Sequence, residues 1–211
     1  GEPLAYLVGE AEFRGRVFQV SPAVLIPRPE TEVLIELALE KLNGLASPMA
    51  VDLGTGSGIV AISLALESPA AKIAAVDISE EAIFVARNNA GRLGASVDFF
   101  QGDWLAPLAG KRFDLIVSNP PYVAHGDPHL ALNGLPFEPQ LALTAGAAGL
   151  DCIRRIVADA PAHLNPGGWL LFEHGYDQGE ASRNLLTAAG FKAAFTFPDL
   201  AGIDRVSGAH F

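Results

Sequence analysis

Apolar positions along the first part of the chain change period. Residues 10–13 and 16–20 are short, strand-like runs on either side of Arg14-Gly15, a pattern that predicts a tight β-hairpin. Pro27 and Pro29 then interrupt the chain. After them Val33, Leu34, Leu37, Ala38 and Leu42 recur at helical spacing, with Glu30 and Glu32 near the helix start, where its dipole favours acids. From there short apolar runs alternate with helical segments. Strands are expected at residues 49–51, 73–76, 97–100, 113–118 and 169–172. Helices are expected at 59–66, 80–93 with Ser79 as N-cap, 150–164, and 178–189 stopped at Gly190. A Gly/Pro-rich loop spans 123 to about 149, Asn165-Pro166-Gly167-Gly168 reads as a turn, and residues 191–197 and 205–211 suit a closing antiparallel pair. Near-continuous apolar strands alternating with helices imply a parallel sheet covered on both faces, whose ligands bind at the strands' C-terminal ends.

Composition narrows the picture. The 211 residues suit one α/β domain with a large core, and a chain half apolar and only 18% charged is not disordered. No run of 18 apolar residues occurs, so no membrane span is expected. The formal charge of −10, from 14 basic and 24 acidic residues, argues against nucleic acid as the main partner and is compatible with a basic protein substrate. The lone Cys152 permits no internal disulfide and no zinc knuckle, and reads as a small core residue. With no visible signal peptide, a reducing, cytoplasmic setting is the expectation. His125, Asp127 and His129 lie close together, but nothing fixes their spacing and no further ligand is nearby, so they read as solvated loop residues and no metal is expected.

Candidate chemistry falls at the strand ends. Asp52-Leu53-Gly54-Thr55-Gly56-Ser57-Gly58 follows the first sheet strand and opens a helix. Three glycines at alternate positions let the backbone turn sharply and approach a ligand, but the spacing is not that of a dinucleotide fingerprint. A carboxylate at Asp52 would repel a pyrophosphate and suits a cationic ligand, such as the sulfonium and ammonium of S-adenosyl-L-methionine. Asp77 ends the second strand, where a carboxylate can accept both ribose hydroxyls, and Ile78 follows it; capping of the next helix is the competing reading of Asp77. Gly102-Asp103-Trp104 ends the third strand, where Asp103 can meet an adenine amino group and Trp104 can stack on the ring.

Asn119-Pro120-Pro121-Tyr122 follows the fourth strand. Two prolines stiffen the backbone and lack N–H groups, so the Asn119 side-chain oxygen and the Pro120 carbonyl can both accept from one NH2 group while Tyr122 covers its planar face. The lone pair of an amide or exocyclic amine is delocalised and weakly nucleophilic. Two acceptors can orient it in line with a methyl donor and favour the positive charge that develops on it. Glu173, ending the fifth strand, either lines the pocket or is a buried hydrogen-bonded acid.

These residues resemble the HemK-type protein-glutamine methyltransferases, which modify class 1 peptide chain release factors. The likeness runs through Pro3 to Gly9, Phe13, Leu25-Ile26-Pro27-Arg28-Pro29-Glu30-Thr31-Glu32, the 52–58 loop, Ser118 to Tyr122, and Asp199 to Arg205. It implies a class I S-adenosyl-L-methionine-dependent methyltransferase, with a Rossmann-like, mostly parallel sheet and an antiparallel last strand, preceded by a β-hairpin. Residues 1–29 would be the hairpin and proline-rich linker, residues 30–211 the catalytic domain, and the family's helical N-terminal domain would be absent. Asp52, Gly54, Thr55, Gly56, Ser57, Gly58, Asp77, Ile78, Asp103, Trp104 and Asn119 would contact the cofactor. Asn119, Pro120, Pro121 and Tyr122 would hold the glutamine of a Gly-Gly-Gln loop, and Phe13, Pro27 and Arg28 would border its pocket. Catalysis would rest on Asn119, Pro120 and Tyr122. His174 stands where the family more typically has an aliphatic residue, and Gly146 to Gly149 are less acidic than the family's usual loop. The remaining alternatives are a ribosomal-protein glutamine methyltransferase, against which the Arg28-to-Thr31 run counts, a nucleic-acid amino methyltransferase, which would need a basic stripe near Asn119, and a non-catalytic module retaining the fold.

Overall fold

The computed structural model describes residues 1–132 and 134–211. It opens with a helix that the apolar pattern does not predict, α1 (Leu4–Val8). Leu4, Leu7 and Val8 are exposed and only Tyr6 is buried, so no apolar stripe marks it. The hairpin follows as expected: β1 (Glu10–Phe13) pairs antiparallel with β2 (Arg16–Gln19), Phe13 opposite Arg16. Arg14 and Gly15 at the turn both have positive φ, 49° and 68°, the backbone that matches the twist of paired strands.

The remaining elements are α2 (Thr31–Leu42), β3 (Met49–Leu53), α3 (Ile59–Glu67), β4 (Lys72–Asp77), α4 (Glu80–Leu93), β5 (Val97–Gln101), β6 (Phe113–Ser118), α5 (Asp151–Asp159), β7 (Leu164–Glu173), α6 (Gly179–Ala188), β8 (Lys192–Pro198) and β9 (Asp204–His210). They build a seven-stranded sheet of order β5-β4-β3-β6-β7-β9-β8. The first five strands are parallel, and β9 runs antiparallel to both its neighbours. Connections reverse direction between β3 and β6, which opens a crevice at their C-terminal ends.

Strand residues alternate between two cores. Ala50, Ile73, Ala75, Leu115 and Val117 pack under α2 and α3 with Leu34, Ile35, Ile62 and Leu64. Val51, Leu53, Val76, Ile116 and Phe172 face Ile153, Ile156 and Leu186 of α5 and α6. The hairpin joins the first core: Phe13 and Phe18 lie diagonally across it, 6.3 Å apart edge to face. Arg14 and Arg16 fasten it to Glu67, with N–O distances of 2.8 Å each. The fully buried Asn89 ties it inward, exchanging two hydrogen bonds with the Gln19 backbone and donating a third to Ser57 O at 2.9 Å.

Two boundaries differ from the sequence expectation by more than two residues. The 165–168 stretch lies inside β7, because Gly167 N donates to Phe211 O at 2.7 Å and Phe211 N donates to Gly168 O at 2.9 Å, holding a turn-like sequence in the sheet beside a register shift at Phe113/Leu115. The helix expected to reach 164 ends at Asp159 and tightens into a 3-10 turn, Ala160–His163, where Pro161 has no N–H to give.

Gly58 caps α3 at φ +86°, and a Cβ there would lie 2.8 Å from Ile62 Cδ1 and 3.2 Å from Ala86 Cβ. Gly58→Ala is therefore expected to lower stability by roughly 1–3 kcal/mol, read from the midpoint of urea unfolding.

Candidate functional site

The loop after β3 is pinned from below. Gly54 N and Thr55 N both donate to Val76 O, at 2.8 and 3.0 Å, turning the chain back over β4. Asp52 is 1% exposed, and its Oδ2 accepts from Thr55 Oγ1 at 2.6 Å and Ala61 N at 3.3 Å. Burial pushes its carboxyl up to about 7 against those hydrogen bonds. Asp77 accepts from Gly56 N at 2.9 Å and from Ser79 N at 3.0 Å, so it braces the glycine loop and the turn into α4, while the helix cap itself is Ser79, which accepts from Ala82 N. Each Asp77 oxygen keeps a further lone pair for a ligand hydroxyl.

Trp104 adopts φ 48°, uncommon for a bulky side chain and a sign of strain stored at a site. Gly54 has φ +71°, a backbone that favours glycine, and lies against the indole, which a Cβ there would meet at 3.4 Å, an ordinary contact. Asp103 stands exposed beside Arg155, 3.6 Å away.

At the end of β6, Ser118 Oγ donates to Leu53 O at 2.7 Å, which locks the two central strand ends together. Asn119 Nδ2 then donates to Thr31 Oγ1 at 3.1 Å, Thr31 Oγ1 donates to Glu173 Oε2 at 2.8 Å, and Tyr122 OH donates to Glu173 Oε1 at 3.2 Å. Glu173 is 1% exposed, and burial raises its carboxyl to about 7. Neither Asn119 Oδ1 nor Pro120 O accepts a hydrogen bond among the described residues. The proline-rich segment before α2 is clamped by the buried Glu138, which accepts from Arg28 Nη2 and, at 3.1 Å, from Ile26 N.

These elements enclose a cavity of about 460 Å³, a size suited to a cofactor with part of a substrate. It brings together Asp52, Gly54, Thr55, Gly56, Ser57, Asp77, Ile78, Asp103, Trp104, Asn119, Pro121, Pro27 and Arg28. Four residues expected to make contacts do not line the cavity. Phe13 is 4% exposed, because the hairpin register turns it onto Phe18 and into the core. Gly58 sits between α3 and α4 and serves their packing. Pro120 is buried and does not line the cavity, though its carbonyl oxygen has no partner among the described residues. Tyr122 turns its hydroxyl away to Glu173, while its carbonyl accepts from Gln178 Nε2 at 3.0 Å. Glu173 takes the second of its two readings, a buried hydrogen-bonded acid.

Cys152 also departs from expectation, being half-buried in the cavity wall instead of the core, its thiol pKa raised by burial and by Asp151 and Asp103. Thr31 and Glu138 were missed. Thr31 reads in sequence only as a helix start, and Glu138 is one acid in a loop; the signal for Glu138 is an acid set among Leu135, Pro136, Phe137 and Pro139. His174 is buried, its ring nitrogens 2.8 Å from Gly175 O and 2.9 Å from Ser207 Oγ, and burial lowers its pKa.

The cavity fits S-adenosyl-L-methionine on its own chemistry: a glycine-lined floor that backbone can share with a ligand, a diol acceptor at Asp77, an indole wall, and in Asp52 a buried acid that a nearby cation would ionise. Fold and site together define an S-adenosyl-L-methionine-dependent methyltransferase. A methyltransferase small domain model matches residues 30–134. The release factor glutamine methyltransferase of Bordetella pertussis is 52% identical over 211 residues, covering all of this chain and 78% of that protein, and the one of Vibrio cholerae is 51% identical, covering 98% and 73%. The chain belongs to the release factor glutamine methyltransferase family. Among solved structures, a 16S rRNA N2 methyltransferase of T. thermophilus, in complex with AdoMet and guanosine, is 22% identical with a TM-score of 0.72, covering 95% of this chain and 49% of that one. A methyltransferase of Pyrococcus furiosus is 20% identical with a TM-score of 0.66, covering 92% and 87%. These two likenesses concern the fold. No helix among the described residues is long and apolar enough to cross a membrane.

Folding raises the Asp52 pKa, so the proton favours the folded state: that stabilisation is complete below the ordinary value of 3.8 and is lost as pH rises through about 7. Asp52→Asn is expected to stabilise the protein by roughly 1–3 kcal/mol at alkaline pH and by much less in acid, while weakening cofactor binding. Thermal melts at both pH values, with calorimetry of S-adenosyl-L-methionine binding, check this.

Proposed function

We propose that this chain transfers a methyl group to the side-chain amide nitrogen of the glutamine in a Gly-Gly-Gln loop of a class 1 release factor, and that Asn119 Oδ1 and Pro120 O grip that amide. The observation that carries the reading is the pair of neighbouring oxygens without protein partners, Asn119 Oδ1 at the wall of the glycine-lined cavity and Pro120 O next along the chain. Bound S-adenosyl-L-methionine supplies an electrophilic methyl on a sulfonium and leaves as S-adenosyl-L-homocysteine. Asn119 and Pro120 hold the two N–H bonds of the substrate, so the nitrogen lone pair points along the transfer axis. Their partial negative charge stabilises the charge growing on nitrogen, and the proton departs afterwards without a strong base. Asp52, Gly54, Thr55, Gly56, Ser57, Asp77, Ile78, Asp103 and Trp104 hold the cofactor. Pro27, Arg28 and Pro121 border the glutamine, with residues 30–211 as the catalytic unit and 1–29 as its bracing edge.

A protein substrate fits the −10 net charge better than nucleic acid does, and the names of the relatives favour a release factor over a ribosomal protein. A cytoplasmic setting follows from that partner.

Asn119→Ala is expected to cost roughly 2–4 kcal/mol at the transition state through loss of an orienting acceptor. The check is kcat with labelled S-adenosyl-L-methionine and release factor, the methyl located by mass spectrometry against a Gln→Ala release factor. Wild-type turnover in the variant would sink the reading. Asp77→Ala is expected to weaken cofactor binding by roughly 1.5–3 kcal/mol, because a charged acceptor is lost; an unchanged dissociation constant in calorimetry would remove Asp77 from the site.

A further inference from the structure

We propose that Thr31 and Glu173 are positioning residues that fix which end of the Asn119 carboxamide faces the cavity. The proposal rests on the reading that Asn119 Oδ1 grips the substrate amide. The oxygen and nitrogen ends of a carboxamide are nearly equal in size, so shape alone does not choose between them. Turned by 180°, Asn119 would present NH2 to the NH2 of the substrate, donor to donor, and the grip would become a repulsion.

The choice is made by counting hydrogens. A threonine hydroxyl has one hydrogen and two lone pairs, and an ionised carboxylate only accepts. Thr31 gives its hydrogen to Glu173 Oε2 at 2.8 Å. Its oxygen, 3.1 Å from the Asn119 amide, then has only lone pairs to offer, and Nδ2 is the one end that satisfies it. The other Glu173 oxygen is held by Tyr122 OH at 3.2 Å. Thr31 and Glu173 are 0% and 1% exposed, so solvent does not offer a competing partner. The sheet supplies the geometry. Ser118 pairs with Phe172 across β6 and β7, so Asn119 and Glu173 are the next residues along adjacent strands, and the first turn of α2 lays Thr31 between them.

Four groups face the Glu173 carboxyl. Thr31 and Tyr122 hydrogen-bond to it, Arg205 of β9 favours its charge, and Glu30 ahead of α2 opposes it, while burial outweighs them and raises it to about 7. A protonated Glu173 has an O–H to donate. With that O–H on Oε2, the Thr31 hydrogen is free to turn toward Asn119, and the direction of the chain is lost. Turnover should therefore fall as the pH drops through about 7.

The test compares Thr31→Val, Thr31→Ser and Glu173→Gln in the full chain. It measures melting temperature, S-adenosyl-L-homocysteine affinity, affinity of the S-adenosyl-L-homocysteine complex for a class 1 release factor, and kcat/KM for the release factor against pH at saturating S-adenosyl-L-methionine, whose positive charge keeps Asp52 ionised across the range. Thr31→Val is expected to lower kcat/KM about 10- to 100-fold, to weaken release factor binding, and to leave S-adenosyl-L-homocysteine affinity within about threefold. Thr31→Ser keeps the hydroxyl and should recover activity to within about threefold of wild type. Glu173→Gln does not titrate and has one acceptor oxygen where Thr31 and Tyr122 each donate to a separate oxygen, so its activity should be low and the acid-side fall absent. Wild-type turnover in Thr31→Val, equal loss in Thr31→Ser, or a wild-type pH profile in Glu173→Gln would each overturn the proposal. If Thr31→Val does not fold, the serine and glutamine variants decide. An inactive Asn119→Ala beside a fully active Thr31→Val removes the positioning chain alone, whereas an active Asn119→Ala removes the grip itself.

Discussion

The site depends on the direction of one hydrogen-bond chain, from the Asn119 amide through the Thr31 hydroxyl to Glu173. Its three members lie far apart in sequence, at the start of α2, just past β6 and at the end of β7. They meet because β6 and β7 are neighbours in register and α2 packs across that face of the sheet. Ser118, donating to Leu53 O, joins the same strand ends to the glycine loop, so Asn119 and the glycine-lined floor of the cavity are braced by one set of contacts. Precise placement of this kind is where a large part of an enzymatic rate comes from when the nucleophile is weak and no base is needed before transfer.

The fold bears a cost for this arrangement. Asp52 and Glu173 are acids held in nearly complete burial, and both have carboxyls raised to about 7. Trp104 sits at positive φ, where a bulky residue is strained. None of these features aids stability. All three border or support the same cavity, which is the pattern expected when local stability is given up for a binding surface prepared in advance. The remaining structure compensates through two close-packed cores, and through Asn89 and Glu67, which fasten the hairpin to the sheet domain.

The cavity wall away from the strand ends is built differently. The segment from Pro22 to Pro29 and the loop after Tyr122 are irregular, yet proline stiffness, the Tyr6 hydroxyl on Val24 O and the Glu138 clamp on Ile26 and Arg28 hold the first of them. Enzymes that act on RNA share this sheet at low identity. What separates their chemistry from this one is carried by such walls and by surface charge, because a fold alone does not select a substrate.

Much of this protein was legible in the order of its residues. Apolar period and turn chemistry located the hairpin, the strands and most helices, since those signals are local: side chains two or about four positions apart share a face. The 52–58 glycines, Asp77, and Asn119 to Tyr122 stood out because their chemistry is unusual at strand ends. Neighbours in space but not in sequence were not legible. Phe13 faces the core because Phe18 lies diagonally across the hairpin, Tyr122 turns inward because Glu173 awaits its hydroxyl, and Thr31 joins the site because a sheet register brings residue 173 beside residue 119. A hydrogen bond is satisfied by whichever group the folded chain delivers, so the sequence determined which groups were on offer, and only the tertiary structure decided which of them met and which way each would point.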